Sequence, residues 1–351
     1  MNDTILTPRE KRLVNEIAKG NGLNRDELQQ LLVSDYPVSK PTLIRDLNKL
    51  IEKGLVLATG QGPAVKYLPA NTHPFLKYYD LPAYFDKEPD ERTVIDTSFD
   101  HESFLQLKDF FTEAEKLEIG CQSISAATSN LDDTIVKREL ERFTIELSWK
   151  SSKIEGNTYS LLETETLIKE NQPAMGKSPQ EATMILNHKQ AFETILANRD
   201  SYKNLSISTI TQLHNVLIKD LNINSGIRKH AVGVTGTNYR PPDNQWQITE
   251  GLEASLKAIN TASYPLERAL LAIALISYWQ PFTDGNKRTG RMLANAVLLA
   301  GDCFPLSYRS VDEQEYKQAL ILFYEQRSMY HLKRLVIEQF HFANTTYFVG
   351  K

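Results

Sequence analysis

The run Gln280-Pro281-Phe282-Thr283-Asp284-Gly285-Asn286-Lys287-Arg288-Thr289-Gly290-Arg291 decides how the rest of the chain is read. Before it, Ala269 to Trp279 is the longest apolar run in the sequence. It is too short for a bilayer span, which needs about 20 residues, and reads as a buried helix. After it, apolar positions resume with helical spacing near Arg288. A polar, glycine-containing loop therefore joins two helices. At the start of the second helix the backbone N–H groups point outward, at the positive end of the helix dipole. Lys287, Arg288 and Arg291 add three cations around that mouth, and Arg288 and Arg291 share a helix face. Asp284 supplies one carboxylate suited to a Mg2+ shared with phosphates. Cations in a first turn oppose the dipole and cost stability unless an anion joins them. The loop therefore reads as a polyphosphate site rather than a plain helix–helix turn. The Gly-x-x-x-x-Gly-Lys spacing of a Walker loop is absent.

Outward from this loop, helical spacing recurs at 104–117, 133–152, 162–171, 179–198, 208–217, 250–259, 265–278, 288–299, 311–325 and 331–342. One segment breaks the pattern. Residues 231–242 alternate and carry Gly233, Gly236, Pro241 and Pro242, which predicts a small β-hairpin.

The first 70 residues have a different rhythm. Thr7-Pro8-Arg9-Glu10 is a capping box with proline at the first helical position, and Leu13, Ile17 and Ala18 follow as the inward face. Asn24 caps a second helix carrying Leu28, Leu31 and Leu32. Ser39 opens a third, with Leu43, Leu47, Leu50 and Ile51 inward and Gly54 as its stop. Two short strands around Gly60-Gln61-Gly62 complete the segment. Three helices and a hairpin resemble a winged helix-turn-helix, whose third helix would present Lys40, Thr42, Arg45 and Lys49 to duplex DNA. This segment holds ten Lys/Arg and eight Asp/Glu against a net charge of -4 for the whole chain. A winged helix used for protein contacts or for a homodimer is the alternative. Residues 71–100, with His73-Pro74, Leu81-Pro82 and Glu88-Pro89, read as an extended connector, and 101–351 as one helical region.

Composition excludes several classes. With 41% hydrophobic and 24% charged residues the chain can bury a sizeable core, so it is not disordered. Its slight negative charge excludes a polycationic nucleic-acid coat. Cys121 and Cys303 give no CxxC pair and no disulfide framework, and read as ordinary core or surface residues. Met1-Asn2-Asp3-Thr4 opens no signal-peptide pattern, so a cytoplasmic location and no membrane partner are expected.

The Gln280–Arg291 loop resembles the signature of the Fic (Fido) family, His-Pro-Phe-x-Asp/Glu-Gly-Asn-Gly/Lys-Arg-x-x-Arg. Pro281, Phe282, Asp284, Gly285, Asn286, Lys287, Arg288 and Arg291 match in order. A second stretch, Ser151-Ser152-Lys153-Ile154-Glu155-Gly156-Asn157, resembles the family's inhibitory motif. Taken alone it is a helix C-terminus with Gly156 just beyond the last turn. The resemblance implies a mainly α fold: a Fic-type bundle, with its core at about 133–342 and a β-hairpin flap, plus the small α/β winged-helix domain. It implies ATP and Mg2+ as cofactors, and transfer of AMP to a Ser, Thr or Tyr hydroxyl of a protein target, this chain included. Asp284 would hold Mg2+. Gly285, Asn286 and Lys287 would line the anion hole, and Arg288 would hold phosphate. Arg291 would take either the γ-phosphate or the Glu155 carboxylate, with Ser151, Gly156 and Asn157 completing the inhibitory element. The flap, Val232, Gly233, Val234, Thr235, Gly236 and Tyr239, would hold the target as an added strand.

One departure matters. Where the family has its general base, a histidine, this chain has Gln280. An amide has no useful basicity near neutral pH, and loss of a general base costs typically ~10²–10⁴-fold in rate. Three readings follow: a nucleotide-binding protein without transfer, a slow or differently based transferase, or a substitution introduced by engineering. His230, next to the flap, is the spare base candidate; His214 reads as packed and His73 as linker. The rival to the transferase is an inactive, nucleotide-sensing, DNA-binding regulator. The signature fixes the phosphates more closely than the leaving group, so transfer of another phosphate-containing group is a further alternative.

Overall fold

The computed structural model describes residues 6–19, 22–70, 73–95, 101–129 and 131–348; the side chains of residues 19, 63, 101 and 102 are outside that description. The chain divides into two compact units at Arg92/Thr93.

In the first unit, α1 (Pro8–Lys19), α2 (Arg25–Leu32) and α3 (Lys40–Glu52) precede strands β1 (Val56–Thr59) and β2 (Lys66–Pro69). The strands pair antiparallel, Val56 opposite Pro69 and Thr59 opposite Lys66, and Leu23 bridges to Tyr67 beside them. The expected caps are present: Glu10 N–H donates to the Thr7 hydroxyl, and Asn24 and Ser39 cap α2 and α3. Leu13, Ile17, Leu28, Leu32, Leu43, Leu47 and Leu50 form the core. Ala18 and Leu31, expected inward, lie on the exposed faces of their helices, and Ile51 is only half-buried. The spacing placed them one position off the apolar stripe.

Residues 73–92 are not an extended connector. Helical turns at Pro74–Leu76 and Pro89–Glu91 flank α4 (Leu81–Phe85), and Phe75, Leu76 and Leu81 are buried. The X-Pro steps start short turns, with the His73 ring and the Asp80 carboxylate accepting from backbone N–H groups.

The second unit is helical: α5 (His101–Leu105), α6 (Glu113–Ile119), α7 (Ile124–Ser129), α8 (Asp133–Ile154), α9 (Leu161–Glu170), α10 (Pro179–Ala197), α11 (Ile207–Leu217), α12 (Gln245–Thr261), α13 (Pro265–Trp279), α14 (Asn286–Ala300), α15 (Glu313–Gln326) and α16 (Tyr330–Thr346). The helix expected at 104–117 is broken, because Asp109 takes a left-handed backbone (φ 60°) and Thr112 caps α6 afresh. α13 is the core helix, with Leu270, Leu271, Ile273, Leu275 and Ile276 all fully buried. Burying each such side chain is worth about 1.5–3 kcal/mol. α14 packs along α13 through Gly290, where a Cβ would lie 3.3 Å from the Ile273 carbonyl oxygen. A side chain there would push against the backbone of Ala272 and Ile273, so glycine suits that approach.

Two expectations are corrected here. Residues 231–242 form no β-hairpin: the segment is an irregular loop with one turn, and β1–β2 is the only sheet among the described residues. Pro241 and Pro242 supply no N–H for a ladder, and Thr237 and Tyr239 are held by helices instead of by a facing strand. The cysteines are also not independent. Cys121 and Cys303 are joined in a disulfide, with their Cα atoms 5.7 Å apart, beside Ser123 and Ser125, which bond to Asp302. Their 182-residue separation leaves no local spacing signal to read. Among the described residues no helix is long and apolar enough to cross a membrane.

Candidate functional site

The loop between α13 and α14 is built from backbone outward. Gln280 ends α13 in a left-handed conformation (φ 44°, ψ 55°), which turns the chain sharply. Asn286 then locks the loop from inside. Its side-chain oxygen accepts from Phe282 N–H at 2.8 Å, and its amide donates to the Phe282 carbonyl at 2.8 Å and to Gln280 Oε1 at 2.9 Å. Phe282 is fully buried, stacked on the His214 ring with centroids 3.7 Å apart. His214 in turn bonds Thr289, whose hydroxyl donates to the Gly285 carbonyl. Burial, then the charge of Arg288, pushes the His214 imidazole down to about 3, so it is neutral packing, as its apolar helix face indicated.

Gly285 precedes α14 with a left-handed backbone (φ 78°), and no side chain caps that helix. Its first-turn N–H groups therefore face outward with the positive end of the dipole. Arg288 is 3% exposed and lies 3.3 Å from the Asp284 carboxylate, whose other oxygen accepts from Gly285 N–H at 2.6 Å. Arg288 Nη1 is buried with no partner. Burial lowers the Arg288 guanidinium from its ordinary value, Asp284 opposing. A buried cationic N–H without an acceptor costs roughly 1–3 kcal/mol or more, and an anion at the uncapped helix end would remove that cost. The residues therefore fit a phosphate group. Asp284 would be a carboxylate ligand for a Mg2+ shared with phosphates.

Arg291, one turn on, is fully buried. Its Nη2 donates to Glu155 Oε1 at 2.8 Å and to the Ser151 carbonyl at 2.9 Å, and its Nε donates to the Ser151 hydroxyl at 3.0 Å. Burial raises the Glu155 carboxyl, but Arg291 and then Lys287 outweigh it, and the group lies below the ordinary carboxylate range. Glu155 caps the C-terminus of α8, and Gly156 (φ 97°) turns the chain away. Asn157 and Thr158 then fasten the turn to Glu181 on α10. Lys150 pins α8 to Glu313 at 2.6 Å. Ser151 and Glu155 thus meet Arg291 from more than a hundred residues away in sequence, whereas Gly156 and Asn157 shape the turn that follows and do not bond to it.

Gln280 is 8% exposed and bonded at both polar atoms of its side chain. Its amide donates to the Ser277 carbonyl at 2.6 Å and its oxygen accepts from Asn286. His230, the spare base, is exposed, and its contact with this region is made by its backbone carbonyl rather than its ring. Of the flap residues, Tyr239 is buried and donates to the Tyr278 carbonyl, whereas Gly233, Thr235 and Gly236 are exposed and Val232 and Val234 half-buried.

In the first unit Lys49 is only half-exposed. It ion-pairs with buried Glu10 at 2.7 Å, while Lys40 pairs with Asp26 at 2.9 Å and Thr42 bonds Ser39. Arg45 is exposed.

Two contributors were not singled out for a role by the sequence reading. His188, buried on α10, donates from Nδ1 to the Met184 carbonyl at 2.8 Å, which leaves Nε2 to accept from the Ser151 hydroxyl at 2.9 Å. Burial and Arg288 push it down to about 3. Arg228, buried just ahead of the 231–242 loop, is the other.

A Fic/DOC family profile matches residues 204–298. A protein adenylyltransferase Fic from Nematostella vectensis is 27% identical over 197 residues, 53% of this chain and 44% of the relative. Its Drosophila melanogaster counterpart is 27% identical over 177 residues, 50% and 36% respectively. The chain thus spans less than half the length of these relatives. Among solved structures, a Fic family protein from Desulfovibrio desulfuricans superposes with TM-score 0.54 at 18% identity, over 74% of this chain and 77% of that one. Fic-1 from C. elegans gives 0.53 at 22%, over 63% and 67%. These likenesses establish the helical fold.

Proposed function

With residues 204–298 a Fic/DOC domain, we propose that this chain binds ATP with Mg2+ at the Asp284–Arg291 loop and transfers AMP to a Ser, Thr or Tyr hydroxyl of a protein target. Glu155 holds that activity down. The observation that carries the reading is the buried Arg288, with Nη1 unpartnered, at an uncapped helix end beside Asp284. The relatives named as adenylyltransferases support the transferred group. Asp284 would hold Mg2+, which neutralises phosphate charge when bound. The first-turn N–H groups and Arg288 would orient the phosphates, and Arg291, once released from Glu155, would take the γ-phosphate. The open flap loop would hold the target's extended backbone.

A second reading is favoured by one feature. Gln280 is an amide, whose nitrogen donates to Ser277 and whose oxygen accepts from Asn286, so its side chain supplies no general base. On that reading the chain senses nucleotide without transfer and acts through its winged helix. With Lys40 and Lys49 paired, Arg45 would carry most of any DNA contact.

Transfer from ATP labelled at the α-phosphate separates the two. The Glu155→Gly protein is assayed with Gln280 intact and with Gln280→His. Label on protein in the first sample supports the transferase. Label only after Gln280→His leaves the sensing reading, and no label in either, with ATP unbound, removes both.

A further inference from the structure

Arg228 is 2% exposed, yet among the described residues no carboxylate bonds to it. Its side chain donates to four backbone carbonyls: Gln280 at 2.6 Å, His230 at 2.7 Å, Pro242 at 2.5 Å and Trp279 at 3.5 Å. Its own N–H donates to the Pro281 carbonyl at 2.9 Å. Burial lowers the guanidinium from its ordinary value, and Tyr239 and Asp243 oppose this only through charge, without a hydrogen bond. A buried cation without a carboxylate partner is expensive, so carbonyl dipoles must be its compensation. Two of the four belong to the C-terminal end of α13, where unpaired carbonyls and the negative dipole end favour a cation. The other two, His230 and Pro242, are the two ends of the loop that replaces the expected hairpin. No strand pairing fixes that loop. Arg228 does so at its base, while Thr237 to Glu325 and Tyr239 to Tyr278 fix its far limb.

We propose that Arg228 is a positioning residue that sets the 230–242 loop in register with the Gln280–Arg291 loop, so that an extended protein segment lying on the first presents its hydroxyl to the phosphates held by the second. This rests on the transferase reading for its purpose, though not for its geometry. Arg228 bonds to the Gln280–Pro281 backbone at the start of the Gln280–Arg291 loop and not to Asp284, Arg288 or Arg291, so its loss should bear mainly on the acceptor side. The planar fork is essential, because four carbonyls lie around one guanidinium. A lysine ammonium can serve the α13 end but cannot reach both ends of the loop as well.

The test uses the full chain carrying Glu155→Gly, alone and with Arg228→Lys or Arg228→Gln. Three quantities are read: thermal midpoint, trypsin cleavage after the exposed Lys229, and calorimetric binding of ATP–Mg2+. Arg228→Lys is expected to keep its midpoint near the parent's and its ATP affinity within threefold. Its cleavage at Lys229 should accelerate at least tenfold, and self-labelling from α-labelled ATP should fall at least tenfold. Arg228→Gln should show the same cleavage with a lower midpoint. Unchanged cleavage in both variants would overturn the proposal. So would a Lys variant that loses midpoint, ATP and cleavage resistance together, since Arg228 would then be a general structural residue. If the parent itself neither binds ATP nor labels, the transferase reading fails, while the cleavage result still decides whether Arg228 sets the loop.

Discussion

Glu155→Ala removes one member of a buried ion pair and leaves the other in place. Breaking such a pair typically costs 3–5 kcal/mol. Here the cost is smaller, because the Glu155 side chain keeps one-fifth exposure and Arg291 retains both bonds to Ser151. About 2 kcal/mol is the expected loss, which at roughly 2–4 °C per kcal/mol for a unit of this size is a fall of about 4–8 °C in midpoint. In the parent a γ-phosphate must displace Glu155 from Arg291, so the same ~2 kcal/mol should weaken ATP by roughly 30-fold. The variant should therefore be less stable alone and gain more from nucleotide. At 100 times the dissociation constant ATP–Mg2+ adds about 2.7 kcal/mol, which restores the parent's stability. Thermal unfolding of both proteins with and without ATP–Mg2+, beside calorimetric titration, reads both effects. A variant at least as stable as the parent, with an equal ATP response, would refute the reasoning.

Other consequences are as direct. His188 and His214 are held neutral with values of about 3, against 6.5 for free histidine. Between those values the unfolded chain binds protons the folded one does not. Stability should thus fall as pH drops from about 6.5 toward 3, by on the order of 1.4 kcal/mol per unit for each ring, and His214→Gln should remove about half of that slope in denaturant titrations. Asp284→Asn should weaken ATP at least tenfold in Mg2+ and far less in EDTA; equal loss in both would deny it the metal. The 182-residue loop closed by Cys121 and Cys303 sets an upper figure of about 5 kcal/mol, so reduction should lower the midpoint. Two titratable thiols in the unreduced protein would contradict the pairing.

The fold was legible where local chemistry repeats. Helix caps at Thr7, Asn24 and Ser39 and the long apolar run of α13 depend on neighbours in sequence. The loop from Gln280 to Arg291 was legible because anion-binding N–H groups, two arginines and a carboxylate come in one stretch. The rest depends on distant contacts. The 231–242 alternation suggested strands, but side-chain anchoring to α13, α15 and Arg228 took the place of a ladder. Lys49 was placed on a solvent face by periodicity, and only the packing of α1 on α3 brings Glu10 to it. The cysteine pair and the His188–Ser151–Arg291 chain likewise join elements that no spacing rule links.

The central claim is that the Gln280–Arg291 loop is a nucleotide phosphate site. Its most direct test is calorimetric titration of ATP–Mg2+ into the Glu155→Ala chain and into the same chain carrying Arg288→Met. Saturable binding in the first, weakened at least tenfold in the second while the fold persists, is the predicted result. Absence of binding in the Glu155→Ala chain, or equal affinity with and without Arg288, would contradict it.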